Sequence, residues 1–147
     1  MNKIYLAYGS NMNLMQMRYR CPNARALATT VLRGWKLEFR GTRGSAVATI
    51  EPQKGAKVCA LLWAITEECE KALDRYEGFP RLYRKETVTV RCDGNTVEAM
   101  VYILNDGFEV AGPSSSYYAT IQEGYRACGL KTDTLANALF KATKERT

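Results

Sequence analysis

No histidine occurs among the 147 residues, so imidazole is unavailable as a base, as the partner of a nucleophile or as a metal ligand. Whatever chemistry the chain performs must rest on carboxylate, hydroxyl, thiol or amine groups. Long apolar runs are also missing, and none approaches the ~18 residues that a membrane helix requires. Met1, Asn2 and Lys3 do not lead into the apolar core and small-residue cleavage site of a secretory signal. The five cysteines, Cys21, Cys59, Cys69, Cys92 and Cys128, form no CxxC pair and fall at wide, irregular spacings, which predicts reduced thiols behaving as small apolar side chains. Repeats, low-complexity tracts and linkers are absent as well. These absences predict one domain over residues 1–147, in the cytoplasm and without a membrane partner.

The net charge is +6, which raises the question of nucleic acid, since clustered Lys and Arg neutralise phosphates. The positive residues are instead spread along the chain and interrupted by acids. Only Lys141, Lys144 and Arg146 group together, on a predicted terminal helix. A solvated basic face, serving packing or an oligomer contact, accounts for them without a nucleic-acid partner.

Lys3 to Tyr8 alternates like a strand, and a helix follows from about Asn13, stopping before Pro22. Ala26 to Phe39 reads as a strand and "AVATIE" as another, with "PQKG" as a turn after it. The apolar run Lys57 to Ile65 suits a strand buried on both faces. Thr66 is a helix N-cap candidate, with Glu67 and Glu68 in the first turn. That helix aligns Cys69, Ala72, Leu73 and Tyr76 on one face and can end at Gly78. Tyr83–Cys92 and Thr96–Leu104, joined by Asp93, Gly94 and Asn95, form the clearest hairpin signal. Two helices then cover about Ser115 to Cys128 and Thr132 to Lys144. The pattern predicts an α+β domain on a mixed or antiparallel sheet, curled toward a barrel.

Two stretches carry chemistry. In "YGSN" a strand runs straight into Gly9, Ser10 and Asn11, where backbone N–H groups at a helix start and a glycine without a Cβ can receive an anion. Local pattern alone favours the plainer reading, with Gly9 permitting the turn and Ser10 or Asn11 capping the helix. In "LDRYEGFPRLY", Glu77 stands at a helix C-terminus between Tyr76 and Gly78. The helix end opposes its ionisation, and burial beside Tyr76 and Phe79 would do the same, making it a proton acceptor near neutral pH. Taken alone, it reads more readily as a surface glutamate near a helix end. Asp74 and Glu70 read as solvated helix residues. Among nine tyrosines, Tyr8, Tyr83, Tyr102 and Tyr117 lie near predicted element ends and become informative only beside these stretches.

Joined in order, "YLAYGSNMN", "GWKLEFRG", "ATIEPQKGAKVCALLWAIT" and "LDRYEGFPRLYRKETVTV" resemble the γ-glutamylcyclotransferase family, including its AIG2-like relatives, to about Tyr125 and Gly129. The resemblance implies a mixed β-barrel-like sheet with surrounding helices. It also implies an enzyme that cyclises a γ-glutamyl group to 5-oxoproline by intramolecular aminoacyl transfer, cleaving a C–N bond and releasing the attached amine or amino acid. Its implied partner is a small-molecule γ-glutamyl substrate, with no cofactor and no metal. Glu77 matches the family's catalytic glutamate, and Tyr8, Gly9, Ser10 and Asn11 match its substrate-holding loop. Tyr83, and more weakly Tyr102 and Tyr117, match tyrosines near the substrate. The segment from Asn105 to Ser116 is expected to shape the leaving-group side of the cavity. The rival expectation is a non-catalytic member that binds a small metabolite or serves a stress response.

Overall fold

The computed structural model describes residues 3–144. In chain order it contains β1 (Lys3–Ala7), a 3₁₀ turn (Ser10–Met12), α1 (Leu14–Arg20), β2 (Arg25–Arg40), β3 (Val47–Ile65), α2 (Glu67–Glu77), β4 (Tyr83–Cys92), β5 (Asn95–Leu104), α3 (Ser115–Ala127) and α4 (Asp133–Lys144). The strands form one mixed sheet in the order β2-β3-β1-β5-β4. β1 runs antiparallel to β3, from Lys3 opposite Ile65 to Ala7 opposite Leu61, and parallel to β5, with Tyr5 opposite Met100. Flanked on both sides, β1 is fully buried from Tyr5 to Ala7.

The β4–β5 hairpin turns on Asp93 and Gly94, both with positive φ, as a two-residue primed turn requires. The larger hairpin differs from expectation. "PQKG" is no turn, because β3 continues through it from Val47 to Ile65. Trp35 pairs with Pro52 and Arg33 with Lys57, so Gly34 alone faces Gln53, Lys54, Gly55 and Ala56, a wide bulge. Proline is tolerated at a bulge because the ladder does not need its missing N–H. Gly34 and Gly55, at φ +87 and +84, absorb the displaced backbone.

The sheet is strongly curled but not closed, and the expected α+β domain on a barrel-like mixed sheet with surrounding helices stands. Its edge strands β2 and β4 approach without a ladder, and Thr30 Oγ1 donates to the Arg91 carbonyl at 2.7 Å. The curl encloses a core that includes Leu6, Phe39, Val58, Leu62, Ile65 and Tyr102, completed from the helices by Leu73, Ile121, Tyr125 and Leu135.

Helix boundaries follow local chemistry. Asn13 caps α1 by accepting from the Gln16 N–H at 3.1 Å, and Thr66 caps α2 by accepting from the Cys69 N–H at 3.1 Å. Gly78, left-handed at φ 67, ends α2. α4 lays Leu135, Ala138 and Ala142 into the core, so the terminal helix is a packing element. Of its basic group, Arg146 lies outside the described residues. No described helix is long and apolar enough to cross a membrane.

The cysteine expectation needs correction. Cys21 and Cys69 form a disulfide, with their Cα atoms 5.2 Å apart, whereas Cys59, Cys92 and Cys128 are free. The two partners are 48 residues apart in sequence and meet only because α1 packs on α2, so no spacing motif announces the pair.

α3 crosses the 3₁₀ turn at Gly124, where an added Cβ would lie 2.7 Å from the Met12 carbonyl carbon and 2.8 Å from the Asn13 nitrogen. Neither backbone atom can swing aside. Gly124→Ala is expected to lower stability by about 1–3 kcal/mol, measured by thermal or denaturant unfolding. Gly112→Ala, whose methyl would meet Thr143 Cγ2 at 3.5 Å, serves as the near-neutral control.

Candidate active site

After Ala7 the chain leaves the sheet through Tyr8, whose hydroxyl donates to the Tyr102 carbonyl at 2.6 Å. Gly9 follows in close quarters, since a Cβ there would stand 3.3 Å from Ala48 Cβ. The next residues wind into the 3₁₀ turn, closed by Met12 N–H to the Gly9 carbonyl and Asn13 N–H to the Ser10 carbonyl, each at 3.0 Å. The α-helix begins only at Leu14 and is capped by Asn13, so neither Ser10 nor Asn11 is its cap. Both are buried. Ser10 Oγ lies 3.3 Å from the Tyr76 hydroxyl. Asn11 donates from Nδ2 to the Tyr5 hydroxyl at 3.0 Å, accepts on Oδ1 from Arg20 Nη1, and its carbonyl accepts from Trp63 Nε1 at 3.1 Å. Side chains this tightly engaged fix the turn.

Against this turn opens a cavity of about 110 Å³, lined by Tyr8, Gly9, Ser10, Asn11, Glu77, Tyr83, Tyr102 and Tyr117 together with Tyr5, Leu6, Val47, Ala48, Tyr76 and Leu82. Every site residue proposed from the sequence therefore lines one space, although they come from the link after β1, the 3₁₀ turn, α2, β4, β5 and α3. Two of the tyrosines grip one residue of β3. The Tyr83 hydroxyl donates to the Ala48 carbonyl at 2.8 Å, and the Tyr117 hydroxyl accepts from the Ala48 N–H at 3.0 Å. The Tyr102 hydroxyl donates to Asp74 Oδ1 at 2.6 Å.

Glu77 is the last residue of α2 and, among the described residues, the one carboxylate lining this cavity. Burial pushes its carboxyl up to about 7 from an ordinary 4.5, and the Arg20 guanidinium offsets part of that rise. Burial also holds the Tyr5, Tyr8, Tyr83 and Tyr117 hydroxyls far above the usual phenol range, with the Glu77 charge adding to the effect at each. The site thus offers one carboxyl able to take or give a proton near neutrality, within a ring of phenols that stay protonated.

Three expectations are revised. Phe79 does not wall Glu77; it is partly exposed, with Lys85 Nζ 4.3 Å above its ring. Glu70 and Asp74 are not simply solvated: Lys85 Nζ reaches Glu70 at 2.7 Å and Asp74 at 3.0 Å, and Lys3 reaches Glu70 at 2.9 Å. Burial pushes the Glu70 carboxyl up, but the bonds from Lys85 and Lys3 outweigh it and hold the group below the ordinary range. The segment from Asn105 to Ser116 contributes no residue to the cavity lining. Asn105 instead ties the Pro80 and Arg81 carbonyls at 2.9 Å each, and Ala111 N–H joins the Phe39 carbonyl. Sequence reasoning missed Tyr5, Ala48 and Arg20. Tyr5 carried a signal, because period-2 alternation along β1 puts it on the opposite face from Leu6 and beside Tyr102. Ala48 acts through its backbone and had none.

The raised proton affinity of Glu77 has a cost with a definite sign. Below pH 4.5 both folded and unfolded carboxyls carry the proton and the group is neutral in the balance. As pH rises toward 7 the unfolded form ionises while the folded one resists, and stability is lost, up to about 3 kcal/mol once pH exceeds 7. Glu77→Gln removes the penalty. Its melting temperature is therefore expected to exceed that of wild type by more at pH 8 than at pH 5, and an equal difference at both pH values would contradict the burial described here.

Comparison with known proteins follows the same outline. A family model described as Gamma-glutamyl cyclotransferase, AIG2-like, matches residues 5–125. The chain is similar to the gamma-glutamylcyclotransferases of Homo sapiens and Bos taurus, at 28% identity over 136 residues in each case, covering 86% of this chain and 72% of the relative. Among solved structures, one titled Gamma-glutamyl cyclotransferase superposes with a TM-score of 0.84 at 24% identity, covering 94% of this chain and 86% of the other, which shows a shared fold. With the sequence match running from Tyr5 to Tyr125, the chain belongs to the AIG2-like gamma-glutamyl cyclotransferase family.

Proposed function

We propose that this chain is a cyclotransferase that converts the γ-glutamyl group of a small molecule into 5-oxoproline and releases the attached amine or amino acid, with Glu77 moving the protons. The observation that carries this reading is a single carboxyl, raised to about 7 by burial, in a small cavity bounded by the Gly9–Asn11 turn. The Glu77 carboxylate takes a proton from the substrate's α-ammonium. The freed amine attacks the γ-carbonyl carbon, a five-membered ring closes, and the carbonyl oxygen becomes an oxyanion. Glu77 then gives its proton to the leaving nitrogen as the oxyanion collapses and the old C–N bond breaks, and the freed carboxylate takes the second proton from the ring nitrogen, which leaves the neutral lactam; that proton departs with the released amine as its ammonium.

Most of the acceleration comes from holding amine and carbonyl in contact, where effective molarities of about 10⁵ M and above are attainable. The walls suit that task. A 3₁₀ turn leaves its first N–H groups without intrahelical partners, and those of the Gly9–Asn11 turn are the donors available for the substrate carboxylate or the oxyanion. Tyr5 and Tyr117 accept hydrogen bonds from Asn11 and Ala48, so their own hydroxyl hydrogens stay free for a substrate oxygen.

The test is mass spectrometry for 5-oxoproline after incubation with γ-glutamyl amino acids, γ-glutamyl amines and γ-glutamyl-ε-lysine. Wild type is expected to release it from at least one compound. Glu77→Gln, nearly the same shape, is expected to bind that compound while turnover falls by at least 10²-fold. Near-normal turnover by Glu77→Gln would remove Glu77 from the mechanism. Binding without release by wild type would favour a non-catalytic metabolite-binding protein.

A further inference from the structure

Arg20 does not line the cavity, yet its guanidinium touches both walls that do. It ends α1, donates from Nη1 to Asn11 Oδ1 and from Nη2 to Gln16 Oε1 at 2.7 Å. Its Cζ stands 3.5 Å from the centre of the Tyr76 ring. Asn11 belongs to the 3₁₀ turn and Tyr76 to the last turn of α2, one residue before Glu77. Beyond them the contacts continue inward, from Asn11 to the Tyr5 hydroxyl and from Tyr76 to Ser10. The next residue, Cys21, is bonded to Cys69 on α2, so the end of α1 that carries Arg20 is tied to the helix that carries Glu77. A planar fork with a stackable face can serve both an amide oxygen and a ring at once, which an ammonium cannot.

We propose that Arg20 is a positioning residue of this site, its guanidinium clamping Asn11 of the substrate-holding turn against Tyr76 and thereby fixing that turn relative to Glu77. The inference rests on the cyclotransferase reading for its catalytic consequence, though not for its structural one. A second effect comes from charge. The groups facing Glu77 are Tyr5 and Tyr8 from the β1 end, Tyr83 from β4, Tyr117 from α3, the adjacent Tyr76, and Arg20 from α1. The Tyr5, Tyr8, Tyr83 and Tyr117 hydroxyls are held protonated by burial, and Asp74 and Glu70 on the same helix are turned to Lys85. The Arg20 guanidinium is thus the cation that opposes desolvation at Glu77. Removing it raises the pH at which Glu77 gives up its proton, and the acid limb of the pH–rate profile moves up with it.

Two variants separate clamp from charge. Arg20→Gln removes both, whereas Arg20→Lys keeps the charge and loses the fork and the stacked face. Titration of the Glu77 carboxyl is followed by carbon-13 NMR, with the signal assigned from its disappearance in Glu77→Gln. The expected midpoint is about 7 in wild type, higher in Arg20→Gln and close to wild type in Arg20→Lys. In kinetics, both variants are expected to lose about 10–10²-fold in kcat/KM, and only Arg20→Gln to shift the acid limb. Far-ultraviolet circular dichroism and cooperative melting confirm that each is folded, and if Arg20→Gln is not, the kcat/KM of Arg20→Lys decides. Unchanged kcat/KM in Arg20→Lys would overturn the clamp, and an unmoved Glu77 midpoint in folded Arg20→Gln would overturn the charge effect. Because the NMR titration needs no turnover, a wild type that releases no 5-oxoproline would count against the proposed activity while leaving this readout intact.

Discussion

A carboxyl group walled by tyrosine rings resists ionisation unless hydrogen bonds replace the water it has lost. At Glu77 they do not. Tyr8, Tyr83 and Tyr102 direct their hydroxyl hydrogens to the Tyr102 carbonyl, the Ala48 carbonyl and Asp74, so none of the three is left to donate to Glu77. Burial is accordingly the largest influence on its proton affinity, with only Arg20 acting against it. Asp74, three residues earlier on the same helix, shows the contrast: it is met by Lys85 and the Tyr102 hydroxyl.

The cavity exists because the strands are unequal in length. β3 extends over 19 residues whereas β1 has only 5, and β1 covers β3 only from Leu61 to Ile65. Around Ala48 and Thr49, β3 therefore has β2 on one side and no laddered strand on the other. Buried backbone polar groups left there would each cost free energy comparable to a lost hydrogen bond. Tyr83 and Tyr117 serve the carbonyl and N–H of Ala48, and Thr49 Oγ1 accepts from the Leu104 N–H at 3.0 Å. The tyrosines that wall the cavity are thus the same groups that make an unpaired strand segment tolerable. This also accounts for glycine at position 9, where the chain passes close to Ala48.

The parts that sequence made legible are those whose physics is local. Thr66 with its acidic first turn, Gly78 at the end of α2 and the Asp93–Gly94 turn each announce themselves within a few residues, and each stands where expected. The four ordered segments carried the site, since "YGSN" and "YEG" are ambiguous singly and specific together. What stayed hidden depends on long-range partners. "PQKG" has turn composition, and only its pairing across from Gly34 keeps it in the strand. The Asn105–Ser116 segment follows the site motifs in the chain, yet the curl of the sheet carries it to Phe39 and Arg40 instead.

The hidden Cys21–Cys69 bond and the hidden contacts of Arg20 have one cause, the packing of α1 on α2. Each cysteine sits amid ordinary helical sequence, and the bond runs against the expectation of reduced thiols in a cytoplasmic chain. Its position is what gives it weight. Cys21 follows directly on Arg20, and Cys69 lies eight residues, roughly two helical turns, before Glu77. The turn that carries Ser10 and Asn11 reaches α2 mainly through side chains: Ser10 to Tyr76, and Asn11 through Arg20 to the Tyr76 ring. Side-chain contacts of this kind hold a catalytic geometry only if the backbones beneath them do not drift, since a displacement of about 1 Å can cost 10²-fold in rate. A covalent tie between the two helices, one residue from the guanidinium, restrains that drift where the contacts are most exposed to it.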